Sequence, residues 1–217
     1  MATENQTLAQ FYSTDRNPFN YVKFEQVTRD YVTSWLTLDE ITQQLNLFDD
    51  ESQDTYLTSL ETATRFAIED YLGIAVFPVQ YRVYYANPGL FNTAVYLDLP
   101  EVSLGHTGAT INSVGIWNGL PPVFTTLTAG TYWYDSTGNR VIVQSIPNGV
   151  SQYSANPIEV LYTIPANPIA QYPVVKQAGL LLLTHLYNNR SNTVEVALKD
   201  IPFGVSTLLR PYKTLVM

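Results

Sequence analysis

Two histidines, His106 and His185, and no cysteine are the whole stock of imidazole and thiolate metal ligands in these 217 residues. A zinc site built on them would need carboxylates to complete its three or four ligands. The two histidines fall in different sequence contexts, which reads as two unrelated polar side chains. Carboxylates are more plentiful: Asp49, Asp50 and Glu51 run together, as do Glu69 and Asp70. Acid–base pairs that cleave glycosidic bonds face each other across a cleft at about 5–10 Å, and neighbours in sequence do not supply that alone. A distant pair such as Asp98 with Asp135 leaves a carboxylate-dependent hydrolase open, against the plainer reading of solvated helix caps and strand ends. No G-x-G-x-x-G or G-x-x-x-x-G-K loop is present to cradle phosphate. No G-x-S-x-G elbow is present either, since Gly204-Val205-Ser206 runs on into Thr207-Leu208. Trp117, Tyr132, Trp133 and Tyr134 could stack a sugar ring, although alternate aromatics on a strand are as readily core. The expectation is no catalytic residue, no cofactor and no metal.

Composition narrows the partners. The formal net charge is −8, so phosphate neutralisation is not how this chain meets nucleic acid. An acidic wall can still let DNA pass without sticking. Charged residues are only 14 %, and tyrosines number sixteen. Tyrosine suits surfaces that become covered on assembly. The first twenty residues hold no apolar stretch of signal-peptide length.

These residues must be positioned by an α+β arrangement. Residues 1–35 show no clean period and read as an arm rich in aromatics, with a short helix near Tyr21–Tyr31. At 37–47, Thr37 and Glu40 have the spacing of a capping box, and Leu38, Ile41 and Leu45 share a face. From about 52 to 72 runs the clearest helix. Its stripe is Tyr56, Leu57, Leu60, Ala63, Ala67, Ile68 and Tyr71, with Glu61, Arg65 and Glu69 on the other side and Gly73 at its end. Phe66 falls near the polar face, either as a scattered exposed aromatic or as a contact with a neighbouring subunit. Between 79 and 164 the period shortens to that of about six strands in a small antiparallel sandwich or barrel, with a hairpin loop at Asp135–Asn139. Pro173 can open a last long helix. Beyond it Pro202 and Pro211 limit the tail 201–217 to a turn or two of helix. The domain reading is an arm, 1–35; a helical domain, 36–200, with the β block inserted at 79–164; and the tail.

The last helix contains Lys-Gln-Ala-Gly-Leu-Leu-Leu-Leu-Thr-His-Leu-Tyr-Asn-Asn-Arg, Lys176 to Arg190. Its unbroken apolar run, Ala178 to Leu183, is far short of the roughly 20 residues that span a bilayer. Plotted at about 100° per residue, Ala178, Gly179, Leu180, Leu182, Leu183, Leu186 and Tyr187 form a wide apolar arc. Leu181 sits inside the narrow polar strip of Gln177, Thr184, His185 and Asn188. Such a helix is covered on most sides.

The order of these pieces resembles the head–tail connector (adaptor, head-completion) proteins of tailed bacteriophages. The matching residues are Ile68-Glu69-Asp70-Tyr71-Leu72-Gly73, Leu99-Pro100, Ser113-Val114, Tyr132 to Asp135, Ile158 to Thr163, Pro173 through Leu186-Tyr187-Asn188-Asn189-Arg190, and the close Pro202-Phe203-Gly204-Val205, Leu208-Leu209, Pro211-Tyr212. The resemblance spans roughly 37–213. Residues 1–35 and the insertion around Glu101–Thr110 depart from it. It implies a non-enzymatic virion protein, made in the host cytoplasm and placed at the head–tail junction. There it forms a homo-oligomeric ring, commonly twelve-fold, that docks on the portal protein. The ring extends the channel for double-stranded DNA without binding it specifically and offers tail or neck proteins their attachment surface. The candidate subunit or portal interface is then Phe66, Leu181, Tyr187 and Arg190, with Phe203, Leu208, Leu209, Tyr212, Leu215 and Val216 in the tail. A tail-completion or carbohydrate-binding tail component is the alternative reading.

Overall fold

The computed structural model describes residues 20–47, 51–87, 94–100, 102, 108–147, 150, 153–189 and 203–213. Helices and antiparallel sheets give an α+β fold in two compact units. One unit is built from the described residues of 30–77 and 166–217, the other from those of 1–29 and 78–165.

The helical unit contains α1 (Leu38–Leu45), α2 (Asp54–Leu72), α3 (Pro173–Asn188) and α4 (Phe203–Leu209). Local chemistry sets their ends. The Glu40 amide donates to Thr37 Oγ1 at 3.2 Å and the Thr37 amide donates to Glu40 Oε2 at 2.8 Å, the reciprocal capping box that the spacing implies. Gly73 closes α2 at φ 66°, a left-handed position that costs glycine little. Pro173 lies in the first turn of α3, where a missing N–H is no loss. Leu57, Ile68 and Leu72 of α2, Val175, Ala178, Leu182 and Leu183 of α3, and Val205 and Leu209 of α4 share one core with Trp35, Leu36 and Ile41. Gly179 admits the Trp35 ring, since a Cβ there would lie 2.7 Å from it. The Trp35 indole N–H donates to the Ala170 carbonyl at 2.8 Å. Among the described residues no helix is long and apolar enough to cross a membrane.

Two expectations for α2 are corrected. Glu61, Arg65 and Glu69, read as its solvent side, are buried, and Ala63 of the expected apolar stripe is exposed. The cause is backbone that engages their polar atoms: the segment 30–36 at Glu61 and Arg65, and Val76, just beyond the helix, at Glu69.

The β unit has a five-stranded sheet and a three-stranded sheet, both antiparallel. The first runs β1 (Lys23–Thr28), β2 (Val79–Tyr85), β8 (Ile158–Ile164), β4 (Thr110–Asn118), β5 (Val123–Thr126). The second runs β3 (Val95–Asp98), β7 (Arg140–Val143), β6 (Tyr132–Asp135). All six expected strands are present, and β1 and β5 are additional. The stretch expected to hold a short helix, Tyr21–Tyr31, contains β1 instead. β1 has no strong period of its own, and the free edge of β2 supplies its ladder, Lys23 opposite Tyr84 and Glu25 opposite Arg82. Arg82 bridges Glu25 at 3.3 Å and Glu159 of β8 at 3.0 Å, a charge row across three strands. Alternate residues fill the interior: Val83 and Tyr85 of β2, Ile158, Val160 and Tyr162 of β8, Val141 and Val143 of β7. The Tyr85 and Tyr162 hydroxyls donate to the carbonyls of Asp98 and Pro100, at 2.6 and 2.5 Å, and tie the larger sheet to the end of β3. The β6–β7 hairpin forms at the expected loop. There Asp135 Oδ1 accepts from the Thr137 amide and hydroxyl, and Asn139 takes φ 49°.

Candidate assembly surfaces

The buried polar stripe of α2 holds backbone on two sides: Glu61 and Arg65 strap down the chain that follows β1, and Glu69 holds the segment that follows α2. Glu61, Arg65 and Glu69 recur every four residues and so lie one above another. Glu61 Oε1 accepts from the amides of Trp35 and Leu36 at 2.9 and 3.3 Å. Arg65 donates to the carbonyls of Thr33 and Asp30 at 2.7 and 2.5 Å, and its guanidinium lies 5.0 Å from the Phe66 ring and 4.8 Å from the Phe77 ring. Glu69 Oε1 accepts from the Val76 amide at 2.8 Å. Buried charges are tolerated when hydrogen bonds of this kind replace water. Burial holds the Glu61 carboxyl above its ordinary range, against the downward pull of the Trp35 and Leu36 amides.

The strap holds a turn. Asp30 Oδ1 accepts from the amides of Val32 and Thr33, both at 2.8 Å. The Thr33 hydroxyl and these two amides lower the Asp30 carboxyl to about 2. The turn displays Tyr31 at 59 % exposure and Val32 at 89 %. Tyr31 belongs to the aromatic arm that the sequence marks for packing on its own domain or a neighbour, whereas Val32 was not singled out by sequence reasoning. The signal available was Asp30 two residues before Val32, a spacing at which Asp caps a turn.

The expected interface residues are spread over the helical unit. Phe66 is half-buried, its ring edge-on to Tyr31 at 5.4 Å. Leu181 is 38 % exposed on the outer strip of α3. Tyr187 is half-buried, donates its hydroxyl to Gln53 Oε1 at 2.9 Å and lies 6.2 Å from the Tyr56 ring. Leu208 is half-buried against the core, and Tyr212 packs edge-on to Tyr172 at 5.8 Å. Leu209, expected at an interface, is instead fully buried in the chain's own core. Val205 and Leu209, four apart, turn the apolar side of α4 inward. Arg190, Leu215, Val216 and the Phe203 side chain lie outside the described residues.

Among the described residues, those with chemical potential do not assemble into a reaction centre. Asp98 and Asp135 flank Arg140 on the two neighbouring strands, two strand spacings or about 10 Å apart. Arg140 Nε sits 3.9 Å from Asp98. The Thr137 hydroxyl and amide hold the Asp135 carboxyl below its ordinary range, the reverse of what a general acid needs. The four expected stacking aromatics part company. Trp117 packs on Phe124, Tyr132 and Tyr134 are half-buried, and Trp133, on the opposite face of its strand, is 49 % exposed. Asp49, Asp50 and His106 lie outside the described residues. His185 Nδ1 is 3.3 Å from the Asn189 amide nitrogen. Among the described residues no group of three or more His, Cys, Asp or Glu is placed to hold a metal ion.

No family model and no curated protein matches the sequence. Solved structures match its fold. A chain in the neck of an empty gene transfer agent particle, computed with C6 symmetry, aligns at TM-score 0.58 and 21 % identity over 90 % of this chain and 97 % of that one. A chain in the neck of a native particle, computed with C12 symmetry, aligns at 0.55 and 18 % over the same shares. A chain in the virion of a native gene transfer agent particle aligns at 0.55 and 19 %, again over 90 % and 97 %. The fold is one that occurs in particle necks. The likeness runs nearly end to end in both partners.

Proposed function

We propose that this chain is a structural subunit of a virion neck. It forms a ring, twelve-fold as the resemblance to head–tail connectors implies, that docks on the portal protein and extends the DNA channel. The ring's far side receives tail or neck proteins. The observation that carries the reading is the near-complete fold likeness to chains from necks computed with C6 and C12 symmetry. The resemblance to head–tail connectors, residue motif by residue motif, supports the same role. A net charge of −8 supports a lumen that repels DNA and lets it slide. Its place is the head–tail junction, reached from the host cytoplasm during assembly. No reaction is assigned to it, because its best-placed carboxylates are taken up by Arg140 and Thr137.

The test is mass photometry and negative-stain imaging of the purified full chain, alone and mixed with portal protein. Rings, or a monomer that forms rings on the portal, are expected. A monodisperse monomer with no affinity for portal would overturn the reading.

A further inference from the structure

The turn at residues 30–34 is held more firmly than an exposed loop requires. The Asp30 carboxylate pins two of its amides and the guanidinium of the wholly buried Arg65 pins two of its carbonyls. Phe66 and Phe77 flank that guanidinium. A lone exposed apolar residue needs no explanation. Here two adjacent ones, Tyr31 and Val32, stand on a rigid frame with Phe66 beneath Tyr31, and Val32 is 89 % exposed. A frame ordered in advance removes part of the entropy loss of docking.

The same helical unit has a second exposed apolar feature. Val174 and Leu181 of α3 are 39 % and 38 % exposed. Seven residues apart, they stand on one face of the helix, separated by about 10 Å along its axis. Gln177 lies exposed between them and Asn188 beyond them. The strip carries no Asp, Glu, Lys or Arg, and the half-buried His185, four residues after Leu181, borders it. Copies of a chain with net charge −8 repel one another, so they meet most readily on surfaces with little exposed charge; at the turn the Asp30 carboxylate is already engaged by the Val32 and Thr33 amides. A closed ring needs two different, complementary patches on every subunit, one protruding and one receiving.

We propose that Tyr31 and Val32 of one subunit seat on the Val174–Leu181 strip of the next copy and so close the ring. The inference rests on the ring reading above and adds which surfaces make the joint. The full-length chain tests it directly. Val32→Asp keeps the monomer's helical content and melting unchanged, because the side chain is solvent-facing. It raises the concentration needed for half-assembly by roughly tenfold or more, the effect of one unpaired charge in an apolar contact. The chain has no cysteine, so Val32→Cys combined with Leu181→Cys reports the joint without background. Oxidation gives a covalent ladder up to the ring, and neither single variant does. Rings that persist in Val32→Asp overturn the inference and leave the ring reading standing. Loss of rings without a ladder overturns the α3 strip as the seat. A wild-type chain that never forms a ring, with or without portal, overturns both.

Discussion

Glu61 is the sharpest place to test the buried strap. Its carboxylate is the acceptor for the amides of Trp35 and Leu36, which are 4 % and 0 % exposed. In Glu61→Ala both donors lose that acceptor inside the core. Each unsatisfied buried amide costs about 1–3 kcal/mol. Water entering the space left by the side chain offsets part of these two costs. The expected loss is about 3–5 kcal/mol, a large fraction of the stability of an ordinary domain. Glu61→Gln keeps an oxygen in the same place and removes the buried charge, so it stays within about 1 kcal/mol of wild type. The assay is urea unfolding, read as the midpoint at unchanged slope, together with hydrogen exchange of the Trp35 and Leu36 amides. The pH dependence adds a sign. Burial raises the Glu61 carboxyl above its ordinary 4.5, so the folded state holds its proton more tightly than the unfolded chain. The stability from this group is fully present below 4.5 and is lost as pH rises through the folded value. Glu61→Gln abolishes that fall. Gln as damaging as Ala, or both variants silent in exchange at Trp35 and Leu36, would refute the account.

Other substitutions probe other joints. Gly179→Ala places a methyl 2.7 Å from the Trp35 ring. Overpacking costs about 1–3 kcal/mol, against a gain of up to about 1 kcal/mol in helix propensity, so a lower melting temperature is expected. Thr37→Ala removes the side-chain cap of α1 and costs about 1 kcal/mol in thermal melts, whereas Thr37→Asp retains an acceptor and most of the stability. Asp30, held at about 2 by Thr33 and Val32, contributes order to its turn that is present above its ordinary 3.8 and lost as pH falls through about 2. Measured against the intrinsic exchange rate at each pH, the Val32 and Thr33 amides are therefore protected at pH 5 and lose that protection below about pH 2, and in Asp30→Ala they are unprotected at both.

Much of the fold is written in short stretches. The Thr37–Glu40 cap, the Gly73 stop, the Pro173 start and the Asp135–Asn139 hairpin each depend on residues within a few positions of one another. Six strands declared themselves by β-branched and aromatic residues between turn signals. The wide apolar arc of α3 likewise identified a covered helix, with Leu181 left on its exposed strip. The interface residues were less legible. Amphipathic spacing alone does not say which neighbour covers a face, and Leu209 proved to belong to the chain's own core.

The sequence by itself determined the elements, their ends and their order, because helix caps, turns and periodicity act over a few residues. It also determined the lack of thiol chemistry and the excess negative charge, which are matters of composition. Only the tertiary structure decided that Glu61, Arg65 and Glu69 face inward. A charged stripe reads as solvent-facing until the backbone that occupies it is known, and for Glu61 and Arg65 that backbone, residues 30–36, arrives from some thirty positions away. The same holds for β1, whose ladder partner in β2 lies more than fifty residues along the chain. It holds too for the rigid display of Tyr31 and Val32, which exists because a buried arginine on a distant helix grips the turn from beneath.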